Sequence, residues 1–341
     1  MKKIVYVKDI PLGNGKIVIQ SMTNTKTSHI NETISQINEL IKVGCEIIRV
    51  AVKDSKDAEA IKEIKKHITI PIVADIHFDY KLALSAIENG VDKLRINPGN
   101  MPKEHIRDIV EKCKEYNIPI RIGVNSGSLS EDITEKFGVT ALGMIEEAKR
   151  EIKILEDLGF TNIVLSLKAT NINTFIEANQ IAAKTFEYPL HIGLTESGTT
   201  LGGNIRSSYA IGTLLKDNIG DTIRVSLTGN PINEIFSAKE ILKMFDKYEG
   251  PTLISCPTCG RCEYDMESVI KEIEPFLQTI NKKITIAVMG CIVNGIGEGK
   301  EADLGIAGGK NNAVLFKKGV IVKKVDQENI ISELKQAILE Y

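Results

Sequence analysis

The sequence carries no excess of charge of either sign. Its 43 lysines and arginines stand against 45 aspartates and glutamates, a formal net charge of -2. Binding a phosphate backbone needs a broad positive field, so nucleic acid is excluded as a partner. No apolar run approaches the roughly 20 residues that cross a bilayer. After Met1, Lys2 and Lys3 only four apolar residues precede Lys8, too few for the core of a secretion signal. A cytoplasmic protein with no membrane contact is expected. Internal repeats and low-complexity tracts are also missing.

What is present is the composition of a folded protein. The chain has 341 residues, 43% hydrophobic and 26% charged, enough for two domains or for one large barrel with an appendage. Up to about residue 245 a β-branched run, a polar or glycine turn and an amphipathic stretch recur. Strands are predicted over 17–22, 47–52, 70–76, 93–96, 119–124, 162–167, 189–194 and 222–227. Helices are predicted over 32–43, 57–66, 80–89, 103–116, 140–158, 172–187 and 207–215. Eight such β/α units in this length fit an α/β fold closed into a (β/α)8 TIM barrel over residues 1–246. An open doubly wound sheet is the alternative; against it, the first strand is not followed by G-x-G-x-x-G.

Polar residues cluster at the carboxyl ends of these strands, where barrel enzymes place their sites. Five of them are basic and come from five different strands: Arg49, Arg95, Arg121, Lys168 and Arg224. Without an anion between them they repel, so their convergence suits an anion with several oxygens, such as a diphosphate. Pairing of each with a rim carboxylate is the structural alternative; Asp75 and Glu196 are the clearest acids there. Asn97, Asn125 and Ser226 are placed to donate hydrogen bonds to the same ligand. His77 and His191 are candidates to orient phosphate or relay protons.

Residues 247–254 read as a linker, followed by an α+β domain over 255–341 with a helix at about 266–280, a strand over 284–289, a glycine-rich loop, a hairpin turning at Lys317-Lys318-Gly319, and a terminal helix from about Glu328. Of the six cysteines, Cys45 and Cys113 read as small buried hydrophobes. The others form Cys256-x2-Cys259-x2-Cys262 with Cys291 further on, a metal-site pattern. Spacing alone leaves two occupants open. Four thiolates would suit a structural zinc; three cysteines with a weaker carboxylate ligand such as Glu298 would suit a [4Fe–4S] cluster with one exchangeable iron.

The chain resembles the bacterial 4-hydroxy-3-methylbut-2-enyl diphosphate synthase family. The likeness is carried by Ser255-Cys256-Pro257-Thr258-Cys259-Gly260-Arg261, by Val288-Met289-Gly290-Cys291-Ile292-Val293-Asn294-Gly295 and by Gly297-Glu298. It extends through Gln20-Ser21-Met22-Thr23-Asn24-Thr25, Ala74-Asp75-Ile76-His77-Phe78, Leu94-Arg95-Ile96-Asn97-Pro98-Gly99-Asn100, the block from Arg121 to Leu129, and His191-Ile192-Gly193-Leu194-Thr195-Glu196. The resemblance implies a barrel that binds a cyclic diphosphate and an iron–sulfur domain whose [4Fe–4S] cluster is held by Cys256, Cys259, Cys291 and Glu298. It implies the two-electron reductive ring opening of 2-C-methyl-D-erythritol 2,4-cyclodiphosphate, with electrons from flavodoxin or ferredoxin, in a homodimer whose active sites are shared. Ile296 stands where the family has proline, so a looser loop around Glu298 is expected, and Cys262 is an extra thiol.

Under this reading Arg49, His77, Arg95, Asn97, Arg121, Asn125, Lys168, Arg224, Ser226 and Asn294 bind substrate, and Glu196 and Glu298 are catalytic, Glu196 as the acid that protonates the leaving oxygen. Two other functions fit the residues: a zinc-stapled barrel acting as a docking protein, and a lyase or aldolase using Lys168 as a Schiff-base lysine.

Overall fold

The computed structural model describes residues 2–310 and 312–341, the side chains of Lys103 and Asn294 excepted. The chain divides into two compact units, Met1–Lys247 and Tyr248–Tyr341.

The first unit opens with a hairpin, β1 (Val5–Val7) and β2 (Ile10–Leu12). Eight parallel strands follow: β3 (Val18–Met22), β4 (Ile47–Ala51), β5 (Ile72–Asp75), β6 (Lys93–Ile96), β7 (Ile120–Asn125), β8 (Ile163–Lys168), β9 (His191–Ile192) and β10 (Thr222–Ile223). Their hydrogen-bonded order is β8-β7-β6-β5-β4-β3-β10-β9. A parallel bridge between Leu165 and Leu190, with the Leu165 N–H donating to the Pro189 carbonyl at 2.9 Å, joins β9 back to β8 and closes the ring. The expected barrel is therefore present. Helices of the connecting segments cover its outside, so the strands are buried on both faces and read as continuous apolar runs.

Several boundaries differ from expectation for local reasons. Pro71 has no N–H for a ladder, and β5 starts after it. The last two strands shrink to two residues each because the chain pinches there: a Cβ built on Gly193 would lie 2.2 Å from the Arg224 carbonyl oxygen. The seventh predicted helix starts earlier, at Thr200, and two further helices, Glu131–Phe137 and Ile232–Lys243, are additions to the predicted set.

Inside the barrel the chemistry changes with height. Near the amino ends of the strands Val18, Ile47, Val73 and Val164 pack with Val5, Val7 and Leu12 of the hairpin, which stoppers the barrel floor. One strand repeat higher stand Gln20 and Lys93, and another repeat higher Met22 and Arg95, because residues two apart on a strand share a face.

The second unit is a five-stranded sheet ordered β11 (Thr252–Ser255), β12 (Thr285–Met289), β13 (Leu304–Gly308), β14 (Asn312–Lys317) and β15 (Val320–Asp326). The first three strands are parallel and the last two antiparallel. The second half of the expected linker is thus strand β11, and β13 is a strand that its glycine and alanine content concealed. Alternation sorts the two faces. Ile286, Val288, Ile306 and Leu315 pack under helices Met266–Leu277 and Ile330–Glu340; Ala287, Met289, Ala307 and Phe316 pack under the short helix Ile292–Glu298. The predicted glycine-rich loop begins instead as this helix, and Ile296, partly buried, packs against the core beneath it. Cys45 and Cys113 are buried, as expected.

Replacing Leu12, which is fully buried in the barrel stopper, by alanine is expected to cost about 2–5 kcal/mol. Urea unfolding would show it as a lower midpoint for the barrel transition at an unchanged slope.

Candidate active site

The five basic residues predicted from the strand ends meet in one cavity of about 180 Å³ at the carboxyl end of the barrel. Arg49, Arg95, Arg121, Lys168 and Arg224 all line it, as do His77, Asn125 and Ser226. Asp75 and Glu196 were the sequence's candidates to neutralise them, and the structure adds a third carboxylate and sorts all three. Asp75 is in the cavity, with its oxygens 3.7 Å from Arg49 Nε and 3.4 Å from Arg95 Nη1. Glu234, which sequence reasoning missed, takes Arg224: its carboxylate accepts from Arg224 Nε and Nη2 at 3.3 and 3.2 Å, from Ser21 Oγ and from the Leu227 N–H. The signal was the apolar spacing of Ile232, Ile235, Ala238 and Ile241, which marks a helix delivering Glu234 back to the strand ends.

The third acid, Glu196, is not part of this cavity. Its side chain is exposed, accepts a hydrogen bond from Thr170 Oγ1 at 3.2 Å and lines a neighbouring cavity of about 490 Å³ with Arg206 and Tyr209. Asn97 also stays off the wall. It precedes the turn Pro98–Asn100, and its buried Oδ1 has no partner among the described residues.

Two cations remain uncompensated. Arg121 is 1% exposed, and neither its Nε nor its Nη2 has a hydrogen-bond partner among the described residues. Lys168 has no ion pair there either. Paired cations on a barrel rim explain Arg224, and in part Arg49 and Arg95; they do not explain these two. A guanidinium stays charged in proteins, so Arg121 is a buried cation that lacks its anion, an arrangement that costs several kcal/mol unless a ligand completes it. Arg49 shares the strain: Met22 Sδ, a weak acceptor, is its nearest hydrogen-bond partner at 2.9 and 3.0 Å.

The electrostatics follow from burial and crowding. Burial, eased by Asp75 and worsened by Arg224 and Arg95, brings Arg49 down to about 10. Burial and then the charges of Arg224, Arg49 and Arg121 push the Lys168 ammonium well below the ordinary lysine range. For Asp75 burial acts upward, but Arg49, the His77 ring and Arg95 outweigh it and hold the carboxyl well below the ordinary carboxylate range. Gly123 leaves room for this packing, since a Cβ on it would stand 2.7 Å from Arg95 Nε.

The second unit holds the other constellation. Cys256 and Cys291 follow the carboxyl ends of the neighbouring strands β11 and β12, and with Cys259 and Glu298 they line one cavity of about 260 Å³. Cys262 is not on its wall; its thiol donates to the Tyr264 carbonyl at 3.3 Å and packs against the sheet core. The Gly290 N–H donates to Cys256 Sγ at 3.1 Å, and a Cβ there would meet Cys262 Sγ at 2.8 Å. Hydrogen bonds from Arg261, backbone and then side chain, lower the Cys259 thiol. Among the described residues no three His, Cys, Asp or Glu side chains stand together closely enough to hold a single metal ion. Three soft donors and one carboxylate around a volume of this size fit an iron–sulfur cluster. Asn294 lies in the adjoining helix, and its side chain is outside the described residues.

A barrel with an anion-ready cavity and a separate module with a three-thiol site define an oxidoreductase of the iron–sulfur type. Residues 2–239 match the family model described as the GcpE TIM-barrel domain, and residues 252–340 match that of the GcpE protein C-terminal domain. The chain is 52% identical to the 4-hydroxy-3-methylbut-2-en-1-yl diphosphate synthase (flavodoxin) of Fusobacterium nucleatum, over 99% of this chain and 97% of that protein. It is 51% identical to the enzyme of the same description from an Exiguobacterium species, over 96% and 88% of the two chains, and 52% identical to that of Bacillus licheniformis, over 96% and 89%. This chain belongs to the 4-hydroxy-3-methylbut-2-en-1-yl diphosphate synthase (GcpE) family. Among solved structures the barrel is similar in fold to dihydropteroate synthases. That of Stenotrophomonas maltophilia matches with a TM-score of 0.54 at 12% identity, over 72% of this chain and 97% of that one; that of Coxiella burnetii matches at 0.52 and 12%, over 72% and 98%.

Asp75→Asn is expected to lower stability by about 3–5 kcal/mol, because it leaves the cavity cations uncompensated. Added pyrophosphate should restore more of the melting temperature in this variant than in the parent protein. The folded carboxyl lies below its unfolded value of 3.8, so its stabilisation is present above that pH and is lost as pH falls through and below it. The variant should therefore show a flatter acid limb in thermal unfolding.

Proposed function

We propose that this chain catalyses the two-electron reductive ring opening of 2-C-methyl-D-erythritol 2,4-cyclodiphosphate, with loss of water, to 4-hydroxy-3-methylbut-2-enyl diphosphate in isoprenoid biosynthesis. The observation that carries the reading is the cavity in which basic residues of five strands converge while, among the described residues, Arg121 Nε and Nη2 have no hydrogen-bond partner and Lys168 has no ion pair. A diphosphate supplies what is missing. Arg121 and Lys168 take its oxygens directly, Arg49, Arg95 and Arg224 surround it from carboxylate-steadied positions, and Asn125, Ser226 and His77 add hydrogen bonds at the rim. Asn97, at the turn after β6, and Asn294, in the helix beside the second cavity, complete substrate binding.

Cys256, Cys259, Cys291 and Glu298 hold a [4Fe–4S] cluster. When bound, such a cluster supplies electrons singly and a Lewis-acidic iron. Glu298, the one oxygen donor of the set, is the ligand that yields its place, since a carboxylate binds iron less tightly than a thiolate does. Glu196 supplies the proton for the leaving oxygen; its neighbour Thr195 lines the anion cavity, and its own carboxyl reaches there by turning away from Thr170. Flavodoxin, named in the description of the curated relatives, is the electron donor, with ferredoxin able to replace it. The chain works in the cytoplasm as a homodimer in which active sites are shared between subunits. No helix among the described residues is long and apolar enough to cross a membrane.

Anaerobic purification with iron, sulfide and zinc analysis, and EPR of the reduced protein with and without the cyclic diphosphate, tests the reading. About four irons per chain and a signal that shifts on adding substrate are expected; one zinc and no signal would refute it. Cys291→Ala should lose the cluster, whereas Cys262→Ala should keep it, because only the first thiol faces the cavity.

A further inference from the structure

Beneath the anion cavity lies a tier of buried polar groups that substrate binding leaves unexplained. Lys93 is fully buried, two residues before Arg95 on the same face of β6, and its Nζ donates to Gln20 Oε1 across the barrel at 3.3 Å. His191, at the start of β9, is also fully buried, and both ring nitrogens are without partners among the described residues. Gln20 Nε2 and Thr222 Oγ1 have no partner among the described residues either. Barrel interiors are ordinarily filled by valine, isoleucine and leucine in layers, as the floor of this one is. A lysine and a histidine buried here cost stability, and neither lines the cavity that holds the ligand.

We propose that Lys93 and His191 form a proton-binding site beneath the anion cavity, which fills from solvent when the diphosphate enters and empties when the product leaves. The proposal rests on the reading of the cavity as the diphosphate site. Each strand from β4 to β8, and the residue after β10, turns a charged group toward this interior: Arg49, Asp75, Arg95, Arg121, Lys168 and Arg224, with His77 on the same wall and Glu234 reaching in from the helix after β10. Cations outnumber carboxylates five to two among these groups. Before ligand arrives, that excess and burial oppose any further positive charge. Burial and then Arg121 and Arg49 act on Lys93; burial and then Arg121, Lys168 and Lys93 act on His191, each in the direction of the neutral form. A dianionic ligand cuts that surplus from three charges to one, and with Lys168 engaged by the ligand's oxygens, Lys93 and His191 are the buried bases beneath it that respond by taking a proton.

Calorimetric titration of the full-length holoenzyme with the cyclic diphosphate, anaerobic and without reductant, in two buffers of equal pH but different ionisation enthalpy, reads the protons taken up. Each phosphate of this ligand carries a single strongly acidic oxygen, so ligand protonation does not contribute near neutrality. Uptake of about one proton per bound ligand is expected, with affinity falling about tenfold per pH unit over the same range. Lys93→Met and His191→Asn should each reduce the uptake while the ligand still binds. Binding without uptake in the parent protein overturns the proposal. So does unchanged uptake in both variants, which would assign the proton to Lys168. If Lys93→Met does not fold, the two-buffer comparison and His191→Asn decide. Absence of binding heat in the parent protein removes the reading of the cavity itself, and this proposal with it.

Discussion

Repulsion among like charges held in one small volume governs this molecule. The barrel brings five basic side chains to its carboxyl end, and each detail of that end either moderates their mutual repulsion or leaves it in place. Asp75 is shared by two arginines, Glu234 grips a third, and Met22 lends its sulfur to a fourth contact. Arg121 and Lys168 are left over. A protein that could have paired them and did not has given up stability where its ligand will sit, the usual sign that a site is organised for something it does not itself contain.

The second module solves a different problem by similar means. The thiols that line its cavity come from the ends of two adjacent parallel strands and from the turn that follows the first of them, so the spacing of Cys256 and Cys291 is set by sheet geometry rather than by flexible chain. Gly290 sits where any side chain would press on Cys262 and Cys256, and its own N–H points at a sulfur. Cys262 fills the space behind. The thiol nearest in sequence to the Cys256–Cys259 pair is therefore part of the wall's backing, and the more distant Cys291 is part of the wall.

Much of this was legible in the residues. Parallel strands announce themselves as β-branched runs, and a basic residue at the carboxyl end of such a run has few places to go except the barrel mouth, so the five cations were found. Glu234 was not, because its helix follows the last strand after a turn containing Gly229 and Pro231 and was not part of the predicted set. Lys93 escaped because a lysine opening a strand reads as a solvated end, and only closure of the ring turns that end inward. Glu196 shows what sequence adjacency leaves open: it neighbours a cavity residue, but with its left-handed backbone, at φ +53°, its carboxyl rests in the next cavity. Spacing of cysteines similarly tells which sulfurs can meet and is silent on which way each one faces.

The hairpin at the start of the chain, described above as part of the hydrophobic packing, also decides traffic. With Val5, Val7 and Leu12 sealed against the strands, the barrel is a blind well with one aperture. Whatever descends into it must depart by the way it came, so ligand entry, product exit and the movement of water and protons are not independent events but queue at a single opening. Turnover in such a well is ordered by its architecture, since nothing new can settle at the bottom until the previous occupant has cleared the top.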